Sequence, residues 1–375
     1  MKLIELKFDN SCYPFYLGTD CTNSVIEKIV SLDADAYFVV ADERVAKLYG
    51  EQLCSKLSMK VVSHLICHQE GEKGKTLTTV EMVIEKVLNL GASRRSCILA
   101  LGGGVTGNLA GLVAALAFRG IRLVHIPTTL IAILDSVLSL KQAVNASCGK
   151  NLVGTFYRPE MVLAETAYLH TLSLPHIRSG LCEVIKNALA ICPDEIPFLK
   201  QILNKENNYN DATYRELIYR SILAKSSVMK HDKYERCSGL VLEYGHTVGH
   251  AIEHLANGTI SHGEAVGLGM LVAAEISKKI GILSENDCQI HWELIQQVNS
   301  PCKLPDNIDL NDLLSRIFYD NKRGYIPVED NVVPMVILEK LGTPKWNNKH
   351  PLYKVSFSDL KKAISVISME ENNKK

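Results

Sequence analysis

The sequence predicts an α/β domain with a parallel sheet, followed by a mainly helical domain. Short apolar runs alternate with stretches of helical spacing as far as residue 126, which is typical of strands buried between two layers of helices. From Pro175 onward, apolar residues recur at helical spacing nearly to the end of the chain. A chain of 375 residues is longer than one hydrophobic core usually supports, so we expect two domains, at residues 1–172 and 173–375.

The apolar runs set the order of the elements in the first domain. Runs at residues 3–8 and 13–17 are separated by Asn10 and Ser11, which predicts a hairpin. The helices expected after it lie at residues 22–30, from residue 43 onward, at 77–90 and at 105–117. The strands expected between them lie at residues 36–41, 61–66, 97–101 and 123–126. Polar residues in the largely apolar segment after Pro127 are expected to form hydrogen bonds or to face a ligand.

The composition limits the kind of partner. Lys+Arg and Asp+Glu both number 41, so the chain has no net field that would attract nucleic acid or an anionic membrane. No apolar run reaches the length of a membrane span, and the first residues alternate apolar and charged side chains, unlike a signal peptide. The eleven cysteines include no Cys-x-x-Cys pair, so we expect free thiols rather than a disulfide framework. These features predict a cytoplasmic protein that binds a small molecule.

A group of histidines in the second domain is a candidate metal site. His246 and His250 are four residues apart, so on a helix they share one face. His262 follows an Asn-Gly pair, which favours a tight reversal and can bring it back to the first two histidines. No glutamate lies between His246 and His250, which excludes the metalloprotease motif. The residues alone leave two interpretations open: a divalent metal site, or histidines exposed on a helix, as we expect for His254.

Three glycines between an expected strand and an expected helix suggest a nucleotide site. Gly102, Gly104 and Gly107 satisfy G-x-G-x-x-G, which lets backbone amides approach a phosphate at the start of a helix. Glycines also end strands for reasons of packing alone. No acidic residue follows at the distance expected for a ribose contact, whereas Asp42 ends an earlier strand. The pattern favours a nucleotide site that differs from the standard dinucleotide arrangement.

Two charged segments of the second domain allow more than one interpretation. Glu183 and Lys186 are three residues apart and can form an ordinary surface ion pair, worth a few tenths of a kcal/mol. Their neighbours Cys182, Val184 and Ile185 are apolar, so the helix face is not clearly exposed. Residues 224–235 are charged and have a helical pattern, which an exposed surface helix would explain equally well.

Several of these motifs together resemble the sugar phosphate cyclases, the superfamily that includes dehydroquinate synthase. The motifs are G-G-G-V-T-G-N from Gly102, P-T-T from Pro127, D-S-x-x-x-x-K from Asp135, G-K-N from Gly149, E-x-x-K from Glu183 and G-H-T-x-G-H-A-x-E from Gly245. They resemble the family in order and spacing from residue 42 to residue 322. The resemblance implies a dehydroquinate synthase-like fold with an NAD-binding domain, a helical metal- and substrate-binding domain, NAD, and one divalent metal, Co2+ or Zn2+.

The resemblance also assigns roles to individual residues. The family's metal ligands fall on Glu183, His246 and His262. Its NAD contacts fall on Asp42, Glu72, Lys75, Gly103, Gly104, Thr106, Thr128, Thr129 and Lys150. Its substrate contacts fall on Arg119, Asp135, Asn151, Lys186, Lys225 and Lys322, and its catalytic groups fall on Lys141, Glu235, Glu243 and His250. Lys141, Asn151, Lys322 and Arg119 would hold a phosphate, with Arg119 reaching across from the second subunit of a homodimer.

Two positions depart from dehydroquinate synthases. Those enzymes have an arginine and an asparagine, which serve the substrate carboxylate, where this sequence has Gly239 and Glu243. The loss of an arginine and the gain of a carboxylate disfavour an acidic substrate, whereas a carboxylate can accept hydrogen bonds from sugar hydroxyls. Glu243 and the runs at residues 149–154 and 320–325 look like the branch that converts glucose 6-phosphate to 2-deoxy-scyllo-inosose for aminocyclitol antibiotics.

The resemblance implies a carbocycle-forming lyase with no net redox change. NAD would oxidise C4 of the sugar, phosphate would leave by β-elimination, C4 would be reduced again, and an aldol reaction would close the ring. The alternatives are a 3-dehydroquinate synthase, a sedoheptulose 7-phosphate cyclase, a metal-dependent polyol dehydrogenase of the same fold, or a non-catalytic binding protein. The cluster of lysines favours a phosphorylated substrate.

Overall fold

The computed structural model of the chain describes residues 1–8, 11–147, 149–320, 322, 324–327 and 331–368. The chain divides into two compact units, Met1–Leu172 and Ser173–Lys375. Asn10 in the predicted hairpin turn, and Asn321 and Arg323 in the run at 320–325, lie outside the described residues. Within the described ranges, no helix is both long enough and apolar enough to cross a membrane.

The first unit is built on a central β-sheet. Its described strands are β1 (Lys2–Phe8), β2 (Ser11–Gly18), β3 (Tyr37–Asp42), β4 (Ser63–His68), β5 (Cys97–Gly102), β6 (Arg122–Pro127), β7 (Lys141–Ala146), β8 (Gly149–Phe156) and β9 (Met161–Glu165). Its described α-helices are α1 (Thr22–Val30), α2 (Glu43–Val45), α3 (Glu51–Ser58), α4 (Leu77–Asn89), α5 (Gly104–Leu116) and α6 (Leu130–Leu134). Seven strands form the sheet in the order β1-β2-β9-β6-β5-β3-β4. The predicted hairpin of β1 and β2 is antiparallel, and the other strand pairs of the sheet are parallel.

The core of the first unit lies on both faces of this sheet. Along β3, Phe38 and Val40 join buried residues of α4 and α5 on one face. Tyr37 and Val39 join buried residues of α1 and α3 on the other face, because successive side chains of a strand point in opposite directions. The predicted α/β fold, a parallel sheet covered by helices on both sides, is confirmed.

The carboxyl ends of the parallel strands lie at one edge of the sheet. Asp42 at the end of β3 is paired with His68 at the end of β4, and Gly102 at the end of β5 is paired with Pro127 at the end of β6. Ligands of open α/β sheets bind at this edge. The edge therefore carries the glycine motif and the acidic residue on which the nucleotide prediction depends.

Three parts of the first unit differ from the sequence prediction. Strands β7 and β8 form an antiparallel hairpin that was not predicted, because β8 is largely exposed and its side chains lack the apolar alternation of a half-buried strand. The helix expected from residue 43 is broken, since α2 ends at Val45 and a π-helical turn, Ala46–Gly50, leads into α3. The strand expected at residues 61–66 lies two residues later, at Ser63–His68.

The second unit is mainly helical. Its described α-helices are α7 (Leu174–Ala190), α8 (Ile196–Ile202), α9 (Asp211–Met229), α10 (His246–Ala256), α11 (His262–Lys279), α12 (Glu285–Gln297), α13 (Leu310–Phe318) and α14 (Phe357–Ser368). Its described strands are β10 (Val332–Met335), β11 (Leu338–Lys340), β12 (Thr343–Pro344) and β13 (Tyr353–Ser356). The strands form two short antiparallel pairs, β10 with β13 and β11 with β12, and these interrupt the helical pattern expected from Pro175 nearly to the end of the chain.

Glycines let α11 pack closely against its neighbours. A Cβ on Gly263 would lie 2.0 Å from the carbonyl oxygen of Ser179 on α7. A Cβ on Gly269 would lie 1.9 Å from the carbonyl oxygen of Gly245, the residue before α10. Such distances are far below van der Waals contact, so larger residues would push these elements apart. The close approach brings the middle of α7 and the first residues of α10 and α11 to a common site.

Candidate functional site

Three potential metal ligands meet in the second unit. Glu183 lies on α7, His246 begins α10 and His262 begins α11, and one ligand atom from each lies within 4.8 Å of the other two. Glu183 Oε1 is 3.8 Å from His246 Nε2, and this buried oxygen accepts no hydrogen bond from the described residues. Ligand atoms around a tetrahedral ion with bonds of about 2.1 Å lie about 3.4 Å apart. The spacing and the nitrogen and oxygen donors therefore fit a divalent metal such as Zn2+ or Co2+.

Hydrogen bonds on the far side of each ring orient the two histidines. His246 Nδ1 lies 3.2 Å from the Tyr244 carbonyl oxygen, and His262 Nδ1 lies 2.8 Å from Glu253 Oε2. A carbonyl and an ionised carboxylate can only accept, so both Nδ1 atoms donate, and in the neutral imidazole Nε2 then carries the lone pair that a metal needs. Burial, assisted by the positive charge of Lys186, lowers the pKa of His246 well below its ordinary value. The ring is therefore neutral at physiological pH.

Glu183 and Lys186 form a buried ion pair rather than the surface pair that the sequence also allowed. Lys186 Nζ donates to Glu183 Oε2 at 2.5 Å, and both side chains are 2% exposed. The pair compensates one oxygen of the carboxylate and leaves the other facing His246. Buried charges of this kind need such a partner, because an unpaired charge in the interior is costly.

His250 lies beside the triad without belonging to it. Its ring centroid is 5.2 Å from that of His246 and 5.8 Å from that of His262. Its Nδ1 atom is 3.9 Å from Asp320 Oδ2, so this edge of the ring faces a carboxylate. The shared helix face predicted for His246 and His250 is confirmed, and His254, one turn further on, is exposed as expected.

Lys322 is held between two carboxylates. Its Nζ atom lies 2.9 Å from Glu243 Oε2 and 3.0 Å from Asp320 Oδ1, and its side chain is 1% exposed. Burial alone would lower the pKa of Lys322, but the nearby charges of Glu243 and Asp320 outweigh it, so the pKa is raised. The ammonium group is therefore charged at physiological pH and suited to an anion.

The remaining candidates of the second unit lie on and after α9. Lys225 is buried on α9, which ends at Met229. Residues 230–235, whose sequence pattern predicted a helix, therefore lie outside this helix. Glu235 is buried in the turn that follows and has a left-handed φ of 53°. The carboxylate of Asp232 fixes this turn by accepting the backbone N–H groups of Cys237 at 2.6 Å and Gly239 at 2.9 Å. Local side chain to backbone bonds of this type compete with helix formation.

The glycine motif of the first unit forms the start of α5. Gly103 is the N-cap and Gly104 the first helical residue, so the first N–H groups of α5 have no partner within the helix. A Cβ on Gly103 would lie 3.2 Å from Thr129 Cγ2, which leaves little room for any larger residue. The N–H of Thr128 donates to the Gly102 carbonyl at 2.9 Å, and Thr129 caps α6. This arrangement can receive a phosphate group.

The side chains of two predicted nucleotide contacts already have partners within the protein. Asp42 Oδ1 accepts the N–H groups of Arg44 at 3.0 Å and Val45 at 2.9 Å, which caps α2. Thr106 is buried, and its hydroxyl lies 3.0 Å from His68 Nε2. His68 Nδ1 donates to a backbone carbonyl, so Nε2 accepts and the Thr106 hydroxyl donates. The group of Thr106 that can approach a ligand is therefore its backbone amide.

A polar network joins the loop before α4 to the β7–β8 hairpin. Glu72 Oε1 accepts from Asn145 Nδ2 at 2.7 Å, and Asn145 Oδ1 accepts from the backbone N–H of Asn151 at 2.9 Å. The ammonium of Lys75 donates to Asn151 Oδ1. Asn151 has a left-handed φ of 57°, a conformation that asparagine tolerates well, and the adjacent Lys150 is exposed. The network brings together residues predicted to contact the nucleotide and the substrate.

Three further predicted substrate or catalytic residues lie elsewhere in the first unit. Lys141 begins β7 and is half-buried, and Asp135 lies between α6 and a single 3-10 turn, Ser136–Leu138. Arg119 is exposed after α5 and has a left-handed φ of 68°. Arg119 therefore lies on the surface of the first unit.

Comparisons with known proteins identify the family. Residues 65–179 match the family model described as 3-dehydroquinate synthase N-terminal, and residues 180–323 match its C-terminal counterpart. The 2-deoxy-scyllo-inosose synthase of Micromonospora echinospora is 47% identical over 98% of this chain and 93% of its own length. The chain belongs to the 3-dehydroquinate synthase family. The resemblance to sugar phosphate cyclases is thus confirmed.

Two further relatives lie in the same branch of the family. The 2-deoxy-scyllo-inosose synthase of Streptomyces kanamyceticus is 49% identical over 91% of this chain and 88% of its own length. A crystal structure of 2-deoxy-scyllo-inosose synthase with carbaglucose-6-phosphate, NAD+ and Co2+ has a TM-score of 0.92 and is 37% identical, covering 97% of this chain and 99% of that one. The dehydroquinate synthase-like fold predicted from the sequence is confirmed by this similarity.

Some residues that contact the candidate site were not found by sequence reasoning. Glu253, which orients His262, is the last residue of the quoted G-H-T-x-G-H-A-x-E motif and lies seven positions after His246, on the same helix face. That spacing was a usable signal. Asp320 and Asp232 gave no comparable signal, because their partners become neighbours only through folding of the turns that contain them.

Proposed function

We propose that this protein is an NAD- and metal-dependent carbon–oxygen lyase that converts glucose 6-phosphate to 2-deoxy-scyllo-inosose and inorganic phosphate. The observation that carries this proposal is the triad of Glu183, His246 and His262, in a chain similar along its length to 2-deoxy-scyllo-inosose synthases. We also propose that residues 1–172 form the NAD-binding domain and residues 173–375 the metal- and substrate-binding domain.

The proposed cofactors are supported by the chemistry of the residues that would hold them. Glu183 Oε1, which no described residue contacts by a hydrogen bond, and the two Nε2 atoms of His246 and His262 would hold Co2+ or Zn2+. The amides at the start of α5, around Gly103 and Gly104, would hold the NAD phosphates. When bound, NAD supplies a reversible hydride acceptor and the metal supplies a Lewis acid that acidifies a sugar hydroxyl.

The other nucleotide contacts are proposed from the family assignment and the local geometry. Asp42 lies at the carboxyl end of β3, where such a residue can meet a ribose. The remaining proposed contacts are Glu72, Lys75, Thr106, Thr128, Thr129 and Lys150. Of these, Thr106 would use its backbone amide, since its hydroxyl donates to His68.

The substrate phosphate is proposed to bind to cations and amide donors of this chain. Lys322 is buried and charged, and Asn151 accepts from Lys75 through Oδ1, which leaves its amide N–H groups as the part that can donate to an anion. Lys141 and Arg119 complete the proposed phosphate contacts. Holding the leaving group in place both positions and neutralises it.

The sugar hydroxyls are proposed to meet a second set of polar groups. Its members are Asp135, Lys186, Lys225, Glu235 and Glu243, and His250 is the proposed proton relay beside the metal ligands. Support for the relay comes from its ring, which is adjacent to both metal-ligating histidines, and from an imidazole's ability to exchange protons near neutral pH.

The proposal is tested by incubating the purified protein with glucose 6-phosphate, NAD and Co2+ or Zn2+. We expect release of phosphate, formation of a carbocyclic ketone and no net accumulation of NADH. NADH accumulation with an unphosphorylated polyol would instead identify a polyol dehydrogenase. Turnover of a keto-acid phosphate or a seven-carbon sugar phosphate, without turnover of glucose 6-phosphate, would identify another cyclase of the family.

We further propose that the enzyme is a homodimer in which Arg119 serves the partner's site. Arg119 is exposed, and strand β8 is the open side of a two-stranded sheet with an exposed Leu152 and Phe156. Exposed apolar side chains on a strand with one open edge favour association. Mixed dimers of Arg119→Ala and Glu183→Gln should regain activity that neither variant has alone, because one of their two sites is then intact.

The oligomeric state gives a second measurement. Light scattering should show a dimer for the wild-type protein and a monomer for Leu152→Asp, whereas Met59→Asp, a control at another exposed apolar position of the same unit, should stay dimeric. A monomeric wild-type protein would contradict the proposal. A cytoplasmic location and a role in aminocyclitol antibiotic biosynthesis also stay predictions.

A further inference from the structure

Asp320 contacts two side chains to which the family resemblance gives different tasks. Its Oδ1 atom lies 3.0 Å from the ammonium of Lys322, the proposed phosphate contact. Its Oδ2 atom lies 3.9 Å from His250 Nδ1, the proposed proton relay. The two oxygens of one carboxylate thus face a cation on one side and an imidazole on the other.

Asp320 is well suited to act as a fixed anchor. Its side chain is 4% exposed, whereas that of Glu243, the other carboxylate on Lys322, is 18% exposed. Oδ1 also accepts the backbone N–H of Lys322 at 3.0 Å, which ties the carboxylate to the turn that carries the lysine. Burial alone would raise the pKa of Asp320, but Lys322 and His250 outweigh it and the pKa is lowered. The group is therefore an ionised, buried carboxylate held by its surroundings.

We propose that Asp320 is a positioning residue of the reaction, acting through Lys322 and His250. It keeps the Lys322 ammonium at a fixed place beside Glu243, where the phosphate would bind. It also keeps the Nδ1 edge of His250 turned toward the carboxylate, so that Nε2 is the nitrogen left to exchange a proton with a substrate hydroxyl. This inference rests on the proposed function.

Orientation by a carboxylate decides which nitrogen of an imidazole can accept a proton. An ionised carboxylate only accepts, so it favours the tautomer of His250 that carries the hydrogen on Nδ1 and the lone pair on Nε2. The same carboxylate pairs with the charge of Lys322, so the position of the ammonium does not depend on the more exposed Glu243 alone. Loss of Asp320 should therefore harm proton transfer and phosphate binding together, although Asp320 itself would touch no reacting atom.

The test is a double-mutant cycle on the metal-loaded enzyme with NAD. Asp320→Asn should lower kcat roughly 10- to 100-fold, the usual effect of removing an orienting partner, and should raise KM for glucose 6-phosphate. In a His250→Gln background the same substitution should lower kcat no further. In a Lys322→Met background it should raise KM no further. A purely structural role would instead give additive losses in both backgrounds, which would overturn the proposal.

Controls separate positioning from general damage. Asp306→Asn removes an exposed carboxylate that pairs with Lys303 in the same unit, and it should leave kcat and KM unchanged. Asp320→Glu keeps the charge and should recover a large part of the activity that Asp320→Asn loses. If Asp320→Asn does not fold, the cycle is run with Asp320→Glu, whose smaller losses should show the same non-additivity. Metal content should equal that of the wild type in every Asp320 variant.

Calorimetric titration with inorganic phosphate tests the Lys322 half without turnover. Phosphate affinity should fall in Asp320→Asn, and in Lys322→Met to the same or a greater extent. If the wild type binds phosphate but does not turn over glucose 6-phosphate, the proposed function fails, while a loss of phosphate affinity in Asp320→Asn still supports positioning of Lys322. If the wild type is active and Asp320→Asn matches it in kcat, KM and phosphate affinity, the positioning role is refuted and the proposed function stands.

Discussion

Substitution of Glu183 by glutamine should remove two functions of one carboxylate, metal binding and pairing with Lys186. The substitution keeps the size of the side chain but removes the charge that pairs with Lys186 at 2.5 Å and the anionic oxygen that faces His246. We expect the variant to lose the bound metal and turnover. NAD binding should be retained, because the proposed NAD contacts lie in the first unit.

The stability cost follows from the burial of the pair. Both side chains are 2% exposed, and removal of one partner from a buried ion pair costs about 3–5 kcal/mol, because the other charge is left uncompensated. Glutamine can still accept a hydrogen bond from Lys186, so we expect the lower end, about 3 kcal/mol, in the metal-free protein. For a unit of this size, that corresponds to a fall in Tm of roughly 6–12 °C.

The matched control is Glu293→Gln, which breaks an exposed ion pair with Lys200 whose atoms are 2.7 Å apart. Such surface pairs contribute about 0–1 kcal/mol, so the control should unfold almost like the wild type. The assays are denaturant unfolding of the metal-free proteins and elemental analysis of the metal-loaded ones. Full metal occupancy in Glu183→Gln, or a stability loss no greater than that of the control, would refute the reasoning.

Two other predictions concern pH and substrate choice. His291 is buried between the Tyr244 hydroxyl and a backbone carbonyl, and burial lowers its pKa to about 4. As the pH falls, the unfolded chain therefore takes up a proton at this histidine before the folded protein does. The free energy of unfolding should therefore fall by up to about 1.4 kcal/mol per pH unit from this group as pH drops from ~6.5 to 4, and His291→Asn should show a shallower decline in pH-dependent denaturation. Separately, a Cβ on Gly239 would lie 3.0 Å from Asp232 Oδ2 and 3.1 Å from the Asp232 carbonyl oxygen. We expect Gly239→Arg with Glu243→Asn to lower Tm and to give no turnover of a keto-acid phosphate; efficient turnover would show that the turn adapts to the arginine.

The parts of the fold that depend on local sequence patterns were predictable. The apolar runs at β3, β5 and β6 and the helical spacing of α4 and α5 predicted a parallel sheet covered on both faces, because burial on both sides removes polar residues from such strands. The hairpin of β7 and β8 was missed for the opposite reason. Most of β8 is exposed, so its sequence carries no apolar alternation.

The histidine site shows where local patterns stop being sufficient. Spacing on one helix correctly predicted that His246 and His250 share a face, but it could not tell which of them joins His262. That choice depends on Glu183, sixty-odd residues earlier in the chain. Its approach depends on the close packing that Gly263 and Gly269 allow around α11. Family resemblance supplied the assignment, and the geometry of the triad is consistent with it.

The turn after α9 and the Lys322 contacts were beyond sequence reasoning. Residues 224–235 have a helical pattern, but the Asp232 carboxylate accepts the backbone N–H groups of Cys237 and Gly239, which follow it in the chain. These hydrogen bonds replace those of a continuing helix. Glu235 consequently lies in a left-handed turn conformation instead of on a helix face. No spacing rule connects Glu243 to Lys322, which lie almost eighty positions apart and meet only in the folded unit.

The contacts of Glu243 also sharpen the argument about substrate choice. Sequence comparison treats this glutamate as a carboxylate that repels an acidic substrate, but here it is paired with Lys322. Repulsion is therefore expected from Glu243 and Asp320 together, because both carboxylates contact Lys322. A sugar phosphate brings its charge on one end only and can share the lysine, whereas a second carboxylate on the substrate would meet these two carboxylates. Glu243→Gln should weaken this discrimination by removing one of the two negative charges while keeping a hydrogen bond to Lys322. The ratio of kcat/KM for glucose 6-phosphate and for the keto-acid phosphate is the quantity to compare. An unchanged ratio would place the selectivity in Gly239 and the turn fixed by Asp232 instead.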